Sequence, residues 1–108
     1  MSLTLRDAQH LCWKTLRIIN DKIAPDKGKE WTPLVTVADL IEDSGKIASL
    51  IKASEETESS DKEGEKEELA TVLSNVLYTV FVLAENHGVN IEEAFLQVMN
   101  DRVISMIS

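Results

Sequence analysis

The stretch Asp39-Leu40-Ile41-Glu42-Asp43-Ser44-Gly45-Lys46-Ile47-Ala48 decides the fold, because it carries both the apolar and the charged side of one helix. It lies in a longer run, 33–53, whose apolar residues return every three or four positions, as in an amphipathic helix with one buried side. The charged residues at positions 39, 42, 43 and 46 share another side of this helix, since they are three, four and seven positions apart. The stretch therefore predicts a helix with a core face and an acidic face that one lysine interrupts.

The rest of the chain shows three further helical patterns and no sustained strand pattern. Apolar residues at helical spacing predict these helices over 5–23, about 65–87 and about 91–107. Thr4, Thr32 and Asn90 are candidate N-caps of the first, second and fourth helices, and Gly88 suits the C-terminal end of the third. The sequence thus predicts an all-α, four-helix bundle.

Composition limits the class of protein. A chain of 108 residues with 44% hydrophobic residues is long enough for one all-α domain over 1–108. The formal charge of -8 argues against nucleic-acid polymers and membranes as partners, because such binding depends on clustered Lys and Arg. The single Cys12 gives no disulfide framework and fits a reducing compartment. With no secretory segment and no uninterrupted apolar run of about 18 residues, we expect a cytoplasmic protein.

The connection between the second and third helices is polar throughout. Residues 54–64 include no apolar side chain, so this segment has nothing to bury. We predict an exposed loop over about 54–64 rather than a second domain.

The fourth helix predicts self-association, because apolar side chains point nearly all round it. These residues are Ile91, Ala94, Phe95, Leu96, Val98, Met99, Val103, Ile104, Met106 and Ile107. Three other helices in so small a chain are too few to cover such a helix. We expect a homodimer, or a higher homo-oligomer, to complete the bundle.

A second polar stripe lies on the third helix, opposite its apolar side. It consists of Glu68, Thr71, Asn75, Thr79 and Asn86. Two helices that each present such a face could bring carboxylates together, and hard cations such as Mg²⁺ take oxygen ligands of this kind. The alternative interpretation is that both faces are solvated parts of an acidic protein.

Several segments resemble one family in the right order along the chain. Leu40 to Ala48 resembles the EExxE segment of the MazG-like, all-α nucleoside triphosphate pyrophosphohydrolases, including the glycine before the last acid. Glu67-Glu68-Leu69-Ala70-Thr71-Val72-Leu73 resembles their ExxD segment, and 88–95 is similar to the turn and cap that follow it. Asn100-Asp101-Arg102 is similar to their Asn-x-Lys element, and Trp31 stands where many members have a tryptophan before the second helix.

This resemblance implies hydrolysis of a nucleoside triphosphate between its α and β phosphates, which gives the monophosphate and pyrophosphate. It implies Mg²⁺ or Mn²⁺ as cofactor, with acids of the two motifs as ligands and as groups that orient the attacking water. The implied metal ligands are Glu42, Asp43 and Glu68, of which Glu42 and Asp43 are also the implied catalytic residues. The implied contacts to nucleotide are Asn100 and Arg102, and Lys46 and Asn75, which lie on the polar faces of the second and third helices, are further candidate contacts.

Two positions depart from the family pattern, and both fall on the implied metal site. Lys46 replaces the third acid of EExxE, and Thr71 replaces the aspartate of ExxD. An ammonium group near a divalent ion repels it, although Lys46 could instead take the place of a cation by pairing with Glu42, Asp43 or Glu68. We therefore expect weakened or lost catalysis.

Three hypotheses follow. The protein is a hydrolase with a rearranged site, a nucleotide-binding protein that has lost the chemistry, or a structural or regulatory homo-oligomer with solvated acidic faces.

Overall fold

The computed structural model describes residues 2–23, 31–56 and 62–107, and these residues form four α-helices and no strand. The helices are α1 (Leu5–Ile23), α2 (Pro33–Glu56), α3 (Lys62–Asn86) and α4 (Ile91–Ile107). The prediction of an all-α chain with four helices is confirmed.

The helix starts form as the sequence predicts. At α1, the Thr4 hydroxyl accepts a hydrogen bond from the Asp7 amide at 3.0 Å, and the Asp7 carboxylate accepts one from the Thr4 amide at 3.2 Å. At α2 the Val35 amide donates to the Thr32 hydroxyl at 3.4 Å, and at α4 the Glu93 amide donates to the Asn90 side chain at 3.2 Å. Each cap satisfies an amide that has no partner inside its helix.

The end of α3 is set by Gly88, whose φ is +68°. The Val89 amide donates to the Ala84 carbonyl at 2.8 Å and the Gly88 amide to the Glu85 carbonyl at 3.3 Å, which is the Schellman pattern. A glycine adopts this left-handed backbone without the steric cost that a Cβ atom brings. The prediction of a glycine C-cap is therefore confirmed.

The predicted loop over 54–64 is too long. The last turn of α2 includes 54–56, and α3 begins at Lys62 rather than at 65. Glutamate and lysine are good helix formers, and an exposed helical turn needs no apolar residue to form. The rest of the predicted loop, 57–61, lies outside the described residues.

The helices form two compact units. One unit contains α1, α4 and the part of α3 from Phe81 onward, and the other contains α2 and α3 up to Val80. The assignment of 1–108 to a single domain stays a prediction.

In the unit that contains α1 and α4, the two helices pack against each other and against the end of α3. Its buried apolar side chains are Leu16, Phe81, Val82 and Ala84, and Val82 is fully buried.

Gln9 links all three helices of this unit. Its side chain is 4% exposed, and its amide nitrogen donates to the Glu85 carboxylate and to the Val89 carbonyl, both at 2.8 Å. The Ile91 amide donates to the Gln9 side-chain oxygen at 3.0 Å. One buried amide thereby satisfies groups on both sides of the α3–α4 turn.

The unit that contains α2 has a smaller apolar core, in which Val72 is buried. Thr36 and Thr79 are buried as well. The Trp31 indole donates to the Thr36 hydroxyl, and the Thr79 hydroxyl donates to the Asn75 carbonyl at 3.0 Å. Helical spacing predicts that Thr79 lies on a polar face, but this bond within the helix lets its side chain lie in the interior.

The apolar stripe predicted for α2 is largely exposed in the single chain. Leu34 is 76% exposed and Ile41 is 69% exposed. The exposed apolar side chains of α4 are Phe95, Leu96, Val98, Val103, Ile104, Met106 and Ile107. Helical spacing identified these positions as apolar, but the chain by itself supplies too few neighbours to bury them.

Helix α3 is also rich in apolar residues. It contains an 18-residue window with a mean hydropathy of 1.4, interrupted by Ser74 and Asn75, which by length and composition is enough to cross a membrane. Core helices of soluble proteins meet the same measure, and 28% of this window is buried in the single chain. The cytoplasmic location therefore stays a prediction. The exposed apolar residues of α3, Leu73 and Leu77, add to the apolar surface of the single chain.

Candidate functional site

Residues of both acidic motifs line one cavity in the unit that contains α2. The cavity has a volume of about 490 Å³, and its lining residues are Glu42, Gly45, Lys46, Ser49, Leu50 and Glu68. Glu42 and Lys46 come from α2 and Glu68 comes from α3. The fold thus brings together three of the site residues that the sequence predicts.

Lys46 forms an ion pair with Glu42, with 3.5 Å between Nζ and Oε1. The two residues are one helical turn apart, and their side chains are 56% and 67% exposed, respectively. An exposed pair of this kind contributes about 0.5 kcal/mol or less to stability. The pair matters more for the charge of the site than for stability. The Lys46 ammonium group neutralises the carboxylate of Glu42, which is one of the acids that a metal site would require.

Two of the three implied metal ligands, Glu42 and Glu68, line the cavity. Among residues 2–23, 31–56 and 62–107, no group of three or more His, Cys, Asp or Glu side chains is arranged to hold an ion. Asp43 is half-buried and does not line the cavity. The Thr71 hydroxyl donates to the Glu67 carbonyl at 3.1 Å, and threonine brings no charge in place of the family's aspartate.

The other predicted nucleotide contacts lie apart from these three residues or in the other unit. Asn75 is exposed on α3 and does not line the cavity. Asn100 and Arg102 are exposed on α4, and Asn100 lines a separate cavity of about 600 Å³ with Glu93, Leu96 and Gln97. The roles of all three stay predictions.

Sequence reasoning missed Ser49 and Leu50 as lining residues. Both follow Lys46 by one helical turn, so the spacing that grouped Glu42 with Lys46 extends to them. Ser49 adds a hydroxyl to the cavity, and Leu50 adds an apolar wall.

Two residues of the other unit carry chemistry that the predicted site does not use. His10 Nδ1 lies 3.0 Å from the Glu85 carboxylate, next to the bonds that Gln9 makes. Burial raises the pKa of the Cys12 thiol, which keeps it protonated at neutral pH. Both arrangements favour a structural role.

Comparison with known proteins gives no match: no protein-family model, no curated protein and no solved structure is detectably similar to this chain.

Proposed function

We propose that this protein is MazG-like and binds a nucleoside triphosphate or a related nucleotide, with hydrolysis to monophosphate and pyrophosphate weakened or lost. The observation that carries the proposal is the cavity in which Glu42 and Lys46 of one motif lie with Glu68 of the other. A nucleotide pocket needs polar groups from more than one element around a space of this size.

Lys46 gives this cavity a different balance of charge from that of an all-acid site. Its ammonium group attracts phosphate oxygens, whereas three carboxylates would repel them in the absence of a metal ion. The same group opposes the divalent ion that supports hydrolysis in the family. Retained binding is attributed to Lys46, and weakened chemistry to Lys46 together with Thr71, which lacks the family's carboxylate.

The proposal is tested by thermal unfolding and by pyrophosphate release with a panel of ribonucleoside and deoxynucleoside triphosphates, each with Mg²⁺ or Mn²⁺. A nucleotide at 100 times its dissociation constant should stabilise the protein by about 2.7 kcal/mol, with little or no pyrophosphate released. Lys46→Ala should reduce the stabilisation, and Glu42→Ala should abolish any release. Glu55→Ala, an exposed acid on α2 outside the cavity, is the matched control and should change neither.

The absence of stabilisation by every nucleotide would contradict the proposed binding. Rapid pyrophosphate release by the wild-type chain would instead contradict the proposed loss of catalysis.

A second candidate function, a structural or regulatory homo-oligomer, is supported by the exposed apolar residues of α4. Leu96 and Ile104 are both more than half exposed, and a soluble monomer rarely leaves so many large apolar side chains in water. In this alternative the acidic faces are solvated.

We expect light scattering at micromolar concentration to give a mass above the 12.0 kDa of one chain, most simply that of a dimer. Leu96→Glu combined with Ile104→Glu should weaken association by about 100-fold or more, because each change places a charge where the proposed dimer interface would bury an apolar side chain. Gln97→Glu, an exposed change on the same helix, should leave the mass unaltered. A 12.0 kDa monomer in the wild-type sample would refute self-association.

A further inference from the structure

A second cavity in the same unit is lined by two lysines. It has a volume of about 210 Å³ and is formed by the last turns of α2 and the first turns of α3. Its polar lining residues are Ser54, Lys62, Glu65 and Lys66. Neither lysine forms an ion pair within the part of the chain that the structure describes, so both ammonium groups are available to an anion.

The charged residues that line this cavity are two lysines and one glutamate. Lys62 and Lys66 are four positions apart and share one face of α3, and together they exceed the single negative charge of Glu65. The protein as a whole has a formal charge of -8. Acids at positions 55, 56, 63, 67 and 68 flank the lining residues in the sequence, so only an anion small enough to contact both ammonium groups is attracted by them.

The lysine-lined cavity lies next to the cavity that contains Glu42, Lys46 and Glu68. Leu50 lines both cavities, so the two are neighbours along α2 and α3. The phosphate chain of a nucleoside triphosphate carries the several negative charges that neighbouring lysines attract.

We propose that Lys62, Lys66 and Ser54 form an anion-binding subsite for the polyphosphate group of the nucleotide. The two ammonium groups neutralise phosphate oxygens, and the Ser54 hydroxyl donates a hydrogen bond to one of them. Glu65 limits the subsite to ligands whose charge outweighs its own, which favours a triphosphate over a monophosphate. This inference rests on the proposed nucleotide-binding function, but the subsite can be measured by itself.

Isothermal titration with inorganic tripolyphosphate, at low ionic strength and without metal, tests the subsite directly. Lys62→Gln with Lys66→Gln should weaken tripolyphosphate binding by roughly tenfold or more, because each lysine supplies a charge-assisted bond to phosphate. Lys14→Gln with Lys22→Gln removes the same charge from α1 and is the control, which should reduce binding much less. Circular dichroism establishes that both double variants are folded.

Adenosine triphosphate and adenosine monophosphate, titrated in the same way, separate the subsite from the proposed function. The Lys62 and Lys66 double variant should bind the triphosphate more weakly and the monophosphate about as well as the wild type. If the wild type and the double variant bind the triphosphate equally well, the proposed subsite is refuted and the proposed function stands. If tripolyphosphate binds but no nucleotide does, both the nucleotide assignment and the proposed function are wrong.

Two further results would overturn the subsite. One is a wild-type protein that does not bind tripolyphosphate, and the other is an equal loss of affinity in the α1 control, which would indicate only a general effect of net charge.

Discussion

A protein that carries Lys46→Glu together with Thr71→Asp is expected to bind Mg²⁺ about 100-fold more tightly than the wild-type chain. The first change replaces a positive charge with a negative one and removes the ion pair with Glu42. At about 4 Å in water, two unit charges interact by roughly 1 kcal/mol, so a two-unit change beside a divalent ion amounts to ~4 kcal/mol before salt screening. Screening reduces this to about 2–3 kcal/mol, which corresponds to the expected factor.

The second change adds the carboxylate that the ExxD motif lacks. An aspartate at position 71 lies three residues after Glu68 and therefore on the same side of α3. Calorimetric titration with Mg²⁺ measures the gain in affinity, and pyrophosphate release from nucleoside triphosphates measures whether chemistry returns with it.

The control places the same changes elsewhere on the same two helices. Lys52→Glu with Ser74→Asp alters the net charge equally, but neither residue lines the cavity. This variant should bind Mg²⁺ only slightly better than the wild type. An equal gain in both variants would show that Mg²⁺ responds to net charge and that residues 42, 46, 68 and 71 form no site.

Gln9→Leu is expected to lower the free energy of unfolding by about 3 kcal/mol. We expect no larger loss from any other single substitution by a side chain of similar volume. The change removes three hydrogen bonds, and it leaves the Val89 carbonyl and the Ile91 amide without the partner they have in the wild type. Neutral bonds of this kind contribute about 1 kcal/mol each, and a bond to a carboxylate such as Glu85 contributes more. The midpoint of thermal unfolding should fall by roughly 10–20 °C.

Gln97→Leu is the matched control, because Gln97 is exposed and bonds only one turn along its own helix, to Asp101 at 3.0 Å. Its midpoint should stay within a few degrees of the wild type. Protein concentration must be the same in all samples, since self-association would make the midpoint depend on it. A Gln9→Leu protein as stable as Gln97→Leu would show that the three bonds do not hold α1 to the α3–α4 turn.

Local sequence predicted the helices well, since helix type and ends depend on nearby residues. The caps at Thr4, Thr32 and Asn90 and the turn at Gly88 each involve groups within a few positions. The exception is the polar segment at 54–64, because a lack of apolar residues does not by itself predict a lack of helix. Helical propensity, which does not require burial, carries α2 to Glu56 and starts α3 at Lys62.

Burial could not be predicted in the same way, because it depends on which helices become neighbours. Spacing placed Leu34 and Ile41 on an apolar side of α2, yet both are exposed in the single chain. Thr79 was assigned to a polar stripe, yet it is buried. A periodic pattern states which side chains share a face, but it does not state what covers that face.

By itself, the sequence determined that the chain is all-α, where each helix starts and ends to within a few residues, and that acids and a lysine share one face of α2. These properties depend on contacts within one or two helical turns. Only the tertiary structure decided that Glu68 joins Glu42 and Lys46 at one cavity while Asp43 does not line it, and that Gln9 holds the α3–α4 turn. Contacts of this kind join residues far apart in the chain, so helix packing, and not local spacing, determines them.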